Sequence, residues 1–219
     1  TPEEMRGIEP ALHGELYGGW YTPSDFTGDI HKFTVGLAAA CERLGVVMQL
    51  STHVAAVQPG DDEVVIRHHS TEPQLDGRPA PEETTRFDKV IVCSGILSRD
   101  LAHSMGDRVN VYPVKGYSIT VSLPEPADQA AAPWVSLLDD KAKIVTSRLG
   151  QTRLRVAGTA EFNGANKDIR AERIAPLVHW CREHFPGMST RQAVPWAGLR
   201  PMMPDMMPRV MQGHNPRVF

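Results

Sequence analysis

Cysteine is scarce: three residues in 219, Cys41, Cys93 and Cys181, none in a CxxC spacing. So sparse and odd a count argues against a disulfide framework and against a cysteine zinc site. Each cysteine falls in an apolar stretch, so buried free thiols in a reducing compartment are expected. The nine histidines show no HExxH or other ligand spacing. The adjacent pair His68-His69 would point to opposite faces of a strand, and no metal is expected. Positive charge is not in excess either. With 23 Lys+Arg against 26 Asp+Glu and a formal net charge of -3, the electrostatic footprint of a nucleic-acid binder is missing. No apolar run approaches the length of a bilayer span and no signal peptide is visible, which leaves only peripheral membrane contact open. GxGxxG, GxxxxGK[ST], GxSxG and internal repeats are all absent.

What is present is an ordinary globular composition, 41% hydrophobic, long enough for one large or two small domains. The sequence starts at Thr1 without a methionine and stops at Val218-Phe219 in what reads as the opening of a strand, so a fragment of a longer protein is expected. Residues 1–20 read as irregular. Asp29 is an N-cap candidate for a helix over 30–44, whose apolar positions Ile30, Phe33, Leu37, Cys41 and Leu44 repeat at helical spacing before Gly45. A short buried strand is expected at 46–50, and further strands at 53–57 and 63–68. A polar loop between 70 and 85 reads as a mobile hairpin tip. FDKVIVCSG (87–95) reads as a strand covered on both faces, ending in Ser94-Gly95 before a helix at 96–105. Such a joint is where open α/β sheets place ligands.

Beyond residue 112 the character changes. Strands at 113–123, 134–138, 143–148 and 152–160 predict an antiparallel meander, and an amphipathic helix is expected at 169–185. The fold class is therefore mixed α/β (α+β), with a domain boundary near 112–114. The stretch PWAGLRPMMPD (195–205) stands out. Gly198 permits close backbone approach. Pro201 biases Arg200 to extended backbone, and a guanidinium so held presents a fork matching a carboxylate. Pairing of Arg200 with an internal acid, or solvation, is the alternative. Lys115 reads as a solvated turn lysine, Asp205 as a turn residue, and the Met202-Met203 and Met206-Met207 pairs as core filler.

Three stretches together resemble the flavin-dependent amino-acid oxidoreductases related to D-amino-acid oxidase, and within them the bacterial D-amino acid dehydrogenase branch. They are GGWYTPSDFTGDIHKFTVGLAAACERLGV, VIVCSG with VYPVKGYSITV, and RLRVAGTAEF with PWAGLRPMMPD. The resemblance implies part of an FAD-binding dinucleotide sheet plus an antiparallel or mixed-sheet substrate domain. Residues 1–22 would be a tail of the substrate domain, 23–113 a portion of the FAD domain, 114–194 the substrate domain, and 195–219 the return to the FAD domain. Arg200 matches the arginine that clamps the substrate carboxylate. Val54 matches the backbone that meets adenine, Ser94 and Gly95 the turn near the phosphate–ribose region, and Gly198 and Leu199 the backbone beside the flavin ring. Tyr117 lies in the family's characteristic stretch, facing either the ligand or the core. No catalytic base is identified. The implied reaction is oxidation of a D-amino acid to a 2-oxo acid and ammonia, with electrons passed to a quinone or other acceptor, in the cytoplasm or peripherally at the inner membrane. The alternatives are a glycine-, sarcosine- or proline-type amine oxidase and a non-catalytic fragment unable to hold FAD. The family's glycine-rich strand–turn–helix is not found in this sequence.

Overall fold

The computed structural model describes residues 1–74 and 77–219; the tip of the expected polar loop, at Leu75 and Asp76, lies outside them. The chain divides into two compact units. One comprises Thr1–Leu37 with Val114–Leu199, the other Ala38–Pro113 with Arg200–Phe219.

The first unit opens with α1 (Pro2–Ile8), where an irregular segment was expected. Its cause is local. The Thr1 side chain accepts from the Glu4 backbone while the Glu4 side chain answers the cap, with Pro2 in the first turn, a reciprocal capping box. α2 (Ile30–Arg43) follows, with Asp29 accepting from the backbone N–H groups of His31 and Lys32.

The core of this unit is a five-stranded sheet covered on one face by α5 (Ala171–His184). Its strands are β4 (Tyr112–Ser122), β5 (Leu138–Asp139), β6 (Ile144–Arg148), β7 (Arg153–Glu161) and β8 (Val194–Met202), in the order β5-β6-β7-β4-β8. Pairing in chain order would give a plain meander; instead β7 returns to pair antiparallel with β4, leaving only β5-β6-β7 as consecutive neighbours. The strand expected at 134–138 shrinks to β5. The backbone N–H groups of Trp134 and Val135 are instead taken by Glu9 Oε2, at 2.7 and 3.1 Å. A short helix, α4 (Pro126–Ala131), fills part of the β4–β5 connection.

Tyr117, Ile119, Val121, Leu154, Val156, Leu177, Cys181 and Phe185 form one continuous core. Gly158 is required within it: a Cβ there would come within 2.8 Å of Ile144 Cγ1 and 3.0 Å of Leu177 Cδ2. Overpacking of this kind costs about 1–3 kcal/mol. Gly158→Ala is therefore expected to lower the melting temperature measurably, and an unchanged unfolding curve would show that the layer repacks freely.

The second unit holds a three-stranded antiparallel sheet, β1 (Thr52–Pro59), β2 (Val64–Ser70) and β3 (Glu83–Phe87), in that order. A single 3-10 turn at Gly95–Leu97 runs into α3 (Ser98–Ser104). Two expectations fail here. Residues 46–50 form no strand, and Val47 and Leu50 are 81% and 83% exposed. The run 87–95 is not a doubly covered strand. β3 ends at Phe87, and Val90 makes one parallel bridge to Val218, with Ile91 72% exposed. Both readings rested on apolar runs, which signal a wish for burial but do not name a partner strand.

The three cysteines are free. Only Cys181 is fully buried, and burial pushes its thiol up to about 12. Cys41 is half-buried and Cys93 is exposed, against expectation. Among the described residues no helix is long and apolar enough to cross a membrane.

Candidate functional site

The five-stranded sheet has two unlike faces. Along β7, Leu154 and Val156 are buried and point with Gly158 toward α5. By the two-residue period of a strand, Arg155 and Ala157 lie on the opposite face. Register places Thr120 and Ser118 of β4 beside them, and Ser147 and Val145 of β6. Trp196 of β8 joins this face, with the Arg155 guanidinium 5.0 Å from its ring centroid. The face turned away from α5 thus carries Ser118, Thr120, Ser147, Arg155 and Trp196, where the residues of β7 that meet α5 are aliphatic.

The Trp196 ring is folded back along β8 over Gly198. A Cβ on Gly198 would overlap the six-membered ring, so glycine at 198 makes room for the indole. Two arginines of β7 differ in their partners. Arg153 pairs with Asp29 at 3.5 Å. Arg155 is half-buried and, among the described residues, forms no ion pair but stacks on the Trp196 ring.

On the α5 side lies a buried charged cluster. Strict alternation after Gly158 would turn Ala160 inward and Glu161 outward. A register shift opposite Gly116 and Tyr117, with Thr159 at φ 54, reverses this. One extra residue in a strand flips everything after it to the other face. Glu161 therefore points inward, its Oε2 receiving the Tyr117 hydroxyl at 2.5 Å and Lys115 Nζ at 3.0 Å, its Oε1 receiving Arg170 at 2.6 Å. Lys115 also donates to Asn166 Oδ1 at 3.1 Å and the Asp168 carbonyl at 3.0 Å, so its three protons have three acceptors. Hydrogen bonds from Tyr117 and Lys115 hold the Glu161 carboxyl down at about 2. Burial works against the charge of Lys115, but its bonds to Tyr117 and Glu161 outweigh it and raise its pKa. Lys115 is thus not a solvated turn lysine: its side chain is fully buried. Tyr117 is a core residue on the helix-covered face, its hydroxyl already committed.

In the second unit, Val54 lies on β1, the outer strand of its sheet, where the pairing with β2 shifts between Val54 and Ala56. One side of its backbone is therefore not used by the sheet. α3 packs against β1, and the turn leading into it has Gly95 at φ 59 with the Ser94 and Ser98 hydroxyls 3.1 Å apart. That left-handed conformation favours glycine. Arg200 is exposed and, among the described residues, has no hydrogen bond or ion pair. Asp205 is a turn residue, as expected, and accepts from Met207 N; Met206 and Met207 are exposed and not core filler. Val54, Ser94, Gly95 and Arg200 share one unit; Tyr117, Gly198 and Leu199 belong to the other. Sequence reasoning missed Arg155, Trp196 and Glu161. The alternation of RLRV was the available sign that Arg155 faces away from Leu154 and Val156.

The family model described as DAO, FAD dependent oxidoreductase, matches residues 1–219. The chain belongs to this family. As a DAO family member it is 55% identical over 219 residues to a D-amino acid dehydrogenase 3 of Mesorhizobium japonicum, covering 100% of this chain and 51% of that protein. It is 40% identical over 213 residues to a D-amino acid dehydrogenase of Paramagnetospirillum magneticum, covering 95% and 47%. The chain spans about half the length of the curated relatives it matches. Among solved structures, a glycine oxidase from Geobacillus kaustophilus has the same fold with TM-score 0.82 at 22% identity, over 100% of this chain and 55% of that one. An L-proline dehydrogenase from P. horikoshii follows at 0.78 and 15%, over 99% and 56%. The mixed α/β architecture with two antiparallel sheets is that of DAO-family flavoproteins.

Proposed function

We propose that the whole protein oxidises D-amino acids with FAD, giving 2-oxo acids and ammonia and passing electrons to a quinone or similar respiratory acceptor. One observation carries the reading. Arg200 is an exposed guanidinium without an internal acid among the described residues, at the position where the family's arginine holds the substrate carboxylate. The relatives named D-amino acid dehydrogenase support the substrate class.

In this reading Ala38–Pro113 with Arg200–Phe219 belongs to the FAD domain, and Thr1–Leu37 with Val114–Leu199 to the substrate domain. The available residues suit the cofactor. The unpaired backbone side of Val54 suits adenine. The Ser94-Gly95 turn, with glycine left-handed and two hydroxyls at a helix start, suits the phosphate–ribose region. The backbone of Gly198 and Leu199 would lie beside the flavin. The bound flavin supplies the hydride acceptor. The protein's share is orientation: Arg200 grips the carboxylate in two parallel bonds and aims the Cα–H. The polar and aromatic face of the five-stranded sheet, with Thr120 and Ser147, would form the substrate side. The amine must lose its proton before hydride leaves, and no side chain of this chain is assigned as its base.

Anaerobic addition of D-alanine to the oxidised flavoprotein is expected to bleach the visible flavin band, while L-alanine leaves it unchanged. Bleaching by glycine, sarcosine or proline but not by D-alanine would overturn the reading in favour of another amine oxidase.

A further inference from the structure

The stack of Arg155 on Trp196 has no part in the hydrophobic core, and the family resemblance gives neither side chain a role. Both residues, and Gly198, are in the first unit. Trp196 is 53% exposed yet contacted by two groups of its own sheet. One side of its ring meets the Arg155 guanidinium at 5.0 Å, and its six-membered ring closes on the Gly198 backbone where a side chain would not fit. A large aromatic side chain left half in solvent is costly unless something covers it. Covering one face with a cation that, among the described residues, forms no ion pair is an unusual way to hold it. The neighbouring Arg153, on the same face, has its own carboxylate in Asp29; Arg155 is not spent in this way. Guanidinium stacking on tryptophan is the strongest common form of this contact and fixes the ring plane. Arg155 reaches Trp196 from β7 across Thr120 of β4, so the ring is tied to two strands.

Resting on the D-amino acid reading above, we infer that Trp196 is a specificity-determining residue and Arg155 its positioning residue. Trp196 precedes Gly198 by two residues and Arg200 by four along β8. The ring occupies the space that Gly198 leaves on its own side of the strand. A substrate held by its carboxylate near this strand meets a fixed indole wall, which admits small side chains and turns away aromatic ones. Arg155 touches no substrate; it keeps the wall upright.

The test is a ratio, so that general damage cancels. In the whole flavoprotein, kcat/KM is measured for D-alanine and D-phenylalanine. Trp196→Ala is expected to raise the D-phenylalanine to D-alanine ratio by about tenfold or more, the scale of differences set by pocket shape. Arg155→Met is expected to move the ratio the same way by a smaller factor, and Arg155→Lys, which keeps a cation over the ring, to restore most of it. Trp196→Phe guards against misfolding and should give an intermediate ratio. A ratio within twofold of the parent in both Trp196→Ala and Arg155→Met overturns the inference, as does an equal loss for both substrates. Calorimetric titration with phenylacetate and acetate reads the same wall without turnover. Trp196→Ala should tighten phenylacetate relative to acetate, and an unmoved preference is again a negative. If no D-amino acid reduces the flavin, the functional reading falls by itself, while the titration still decides on Trp196.

Discussion

Replacing Arg200 with alanine in the whole flavoprotein is expected to lower kcat/KM for D-alanine by about two orders of magnitude, with the flavin still bound. A bidentate guanidinium–carboxylate contact involves two charge-assisted hydrogen bonds, together worth about 3 kcal/mol. Every 1.4 kcal/mol is tenfold, so its loss predicts a fall of roughly 100-fold or more. Arg200 is exposed and without an internal partner among the described residues, so its removal breaks no ion pair and need not disturb the fold. That separates it from a core substitution, where activity and stability fall together. Arg200→Lys is the sharper variant. It keeps the charge but loses the planar fork, and should recover only part of the loss. Kinetics within threefold of the parent for Arg200→Ala would remove Arg200 from substrate binding and leave the reading without its main support.

Arg200 could be picked out from sequence because its setting is local: a glycine two residues before it and a proline after. Elements specified locally were equally legible. α2 has its cap at Asp29, its helical repeat and its stop at Gly45 within one stretch, and β1, β2 and α5 follow their own patterns. α1 was missed although its capping box is entirely local, because only Met5 and Ile8 follow T-P-E-E at helical spacing, too short a repeat to mark a helix. What sequence could not show depended on partners far along the chain. The sheet order that puts β7 beside β4 is one case. Lys115 is another. In VYPVKGYSITVS a lysine reads as solvated, and nothing nearby announces a carboxylate. The acid that answers it sits in the other strand, 44 residues beyond Tyr117, and faces inward only because of the bulge at Thr159. Bulges of this kind have no dependable sequence mark when the residue is not glycine. The Arg155–Trp196 stack was hidden for the same reason: its two members come from strands separated in the sheet by a third.

The buried cluster carries the largest expected effect on stability. Glu161→Gln keeps the shape and removes the charge, so Lys115 and Arg170 lose their shared anion. Lys115 is then left fully buried with neutral acceptors alone, Asn166 Oδ1, the Asp168 carbonyl and the amide oxygen now at 161. Removing one partner from a buried ion pair is far costlier than replacing both, because the orphaned charge cannot regain water. The melting temperature is expected to fall by roughly 10 °C, on the scale usual for losing such a partner in a chain of this size. The double change Lys115→Met with Glu161→Gln should recover part of that fall. If it is no better than Glu161→Gln alone, the orphaned lysine is not the cause. The pH dependence follows from the same bonds. With its carboxyl at about 2 in the fold and near 4.5 when unfolded, Glu161 binds a proton more readily in the unfolded chain. The stability it adds is complete above about pH 4.5 and is lost progressively as the pH falls toward 2. Thermal unfolding between pH 6 and pH 2 should therefore decline more steeply in the parent than in Glu161→Gln, which has no carboxyl to titrate there. Parallel declines would mean that other carboxylates govern acid unfolding and that the cluster does not hold the sheet to the segment at 166–170.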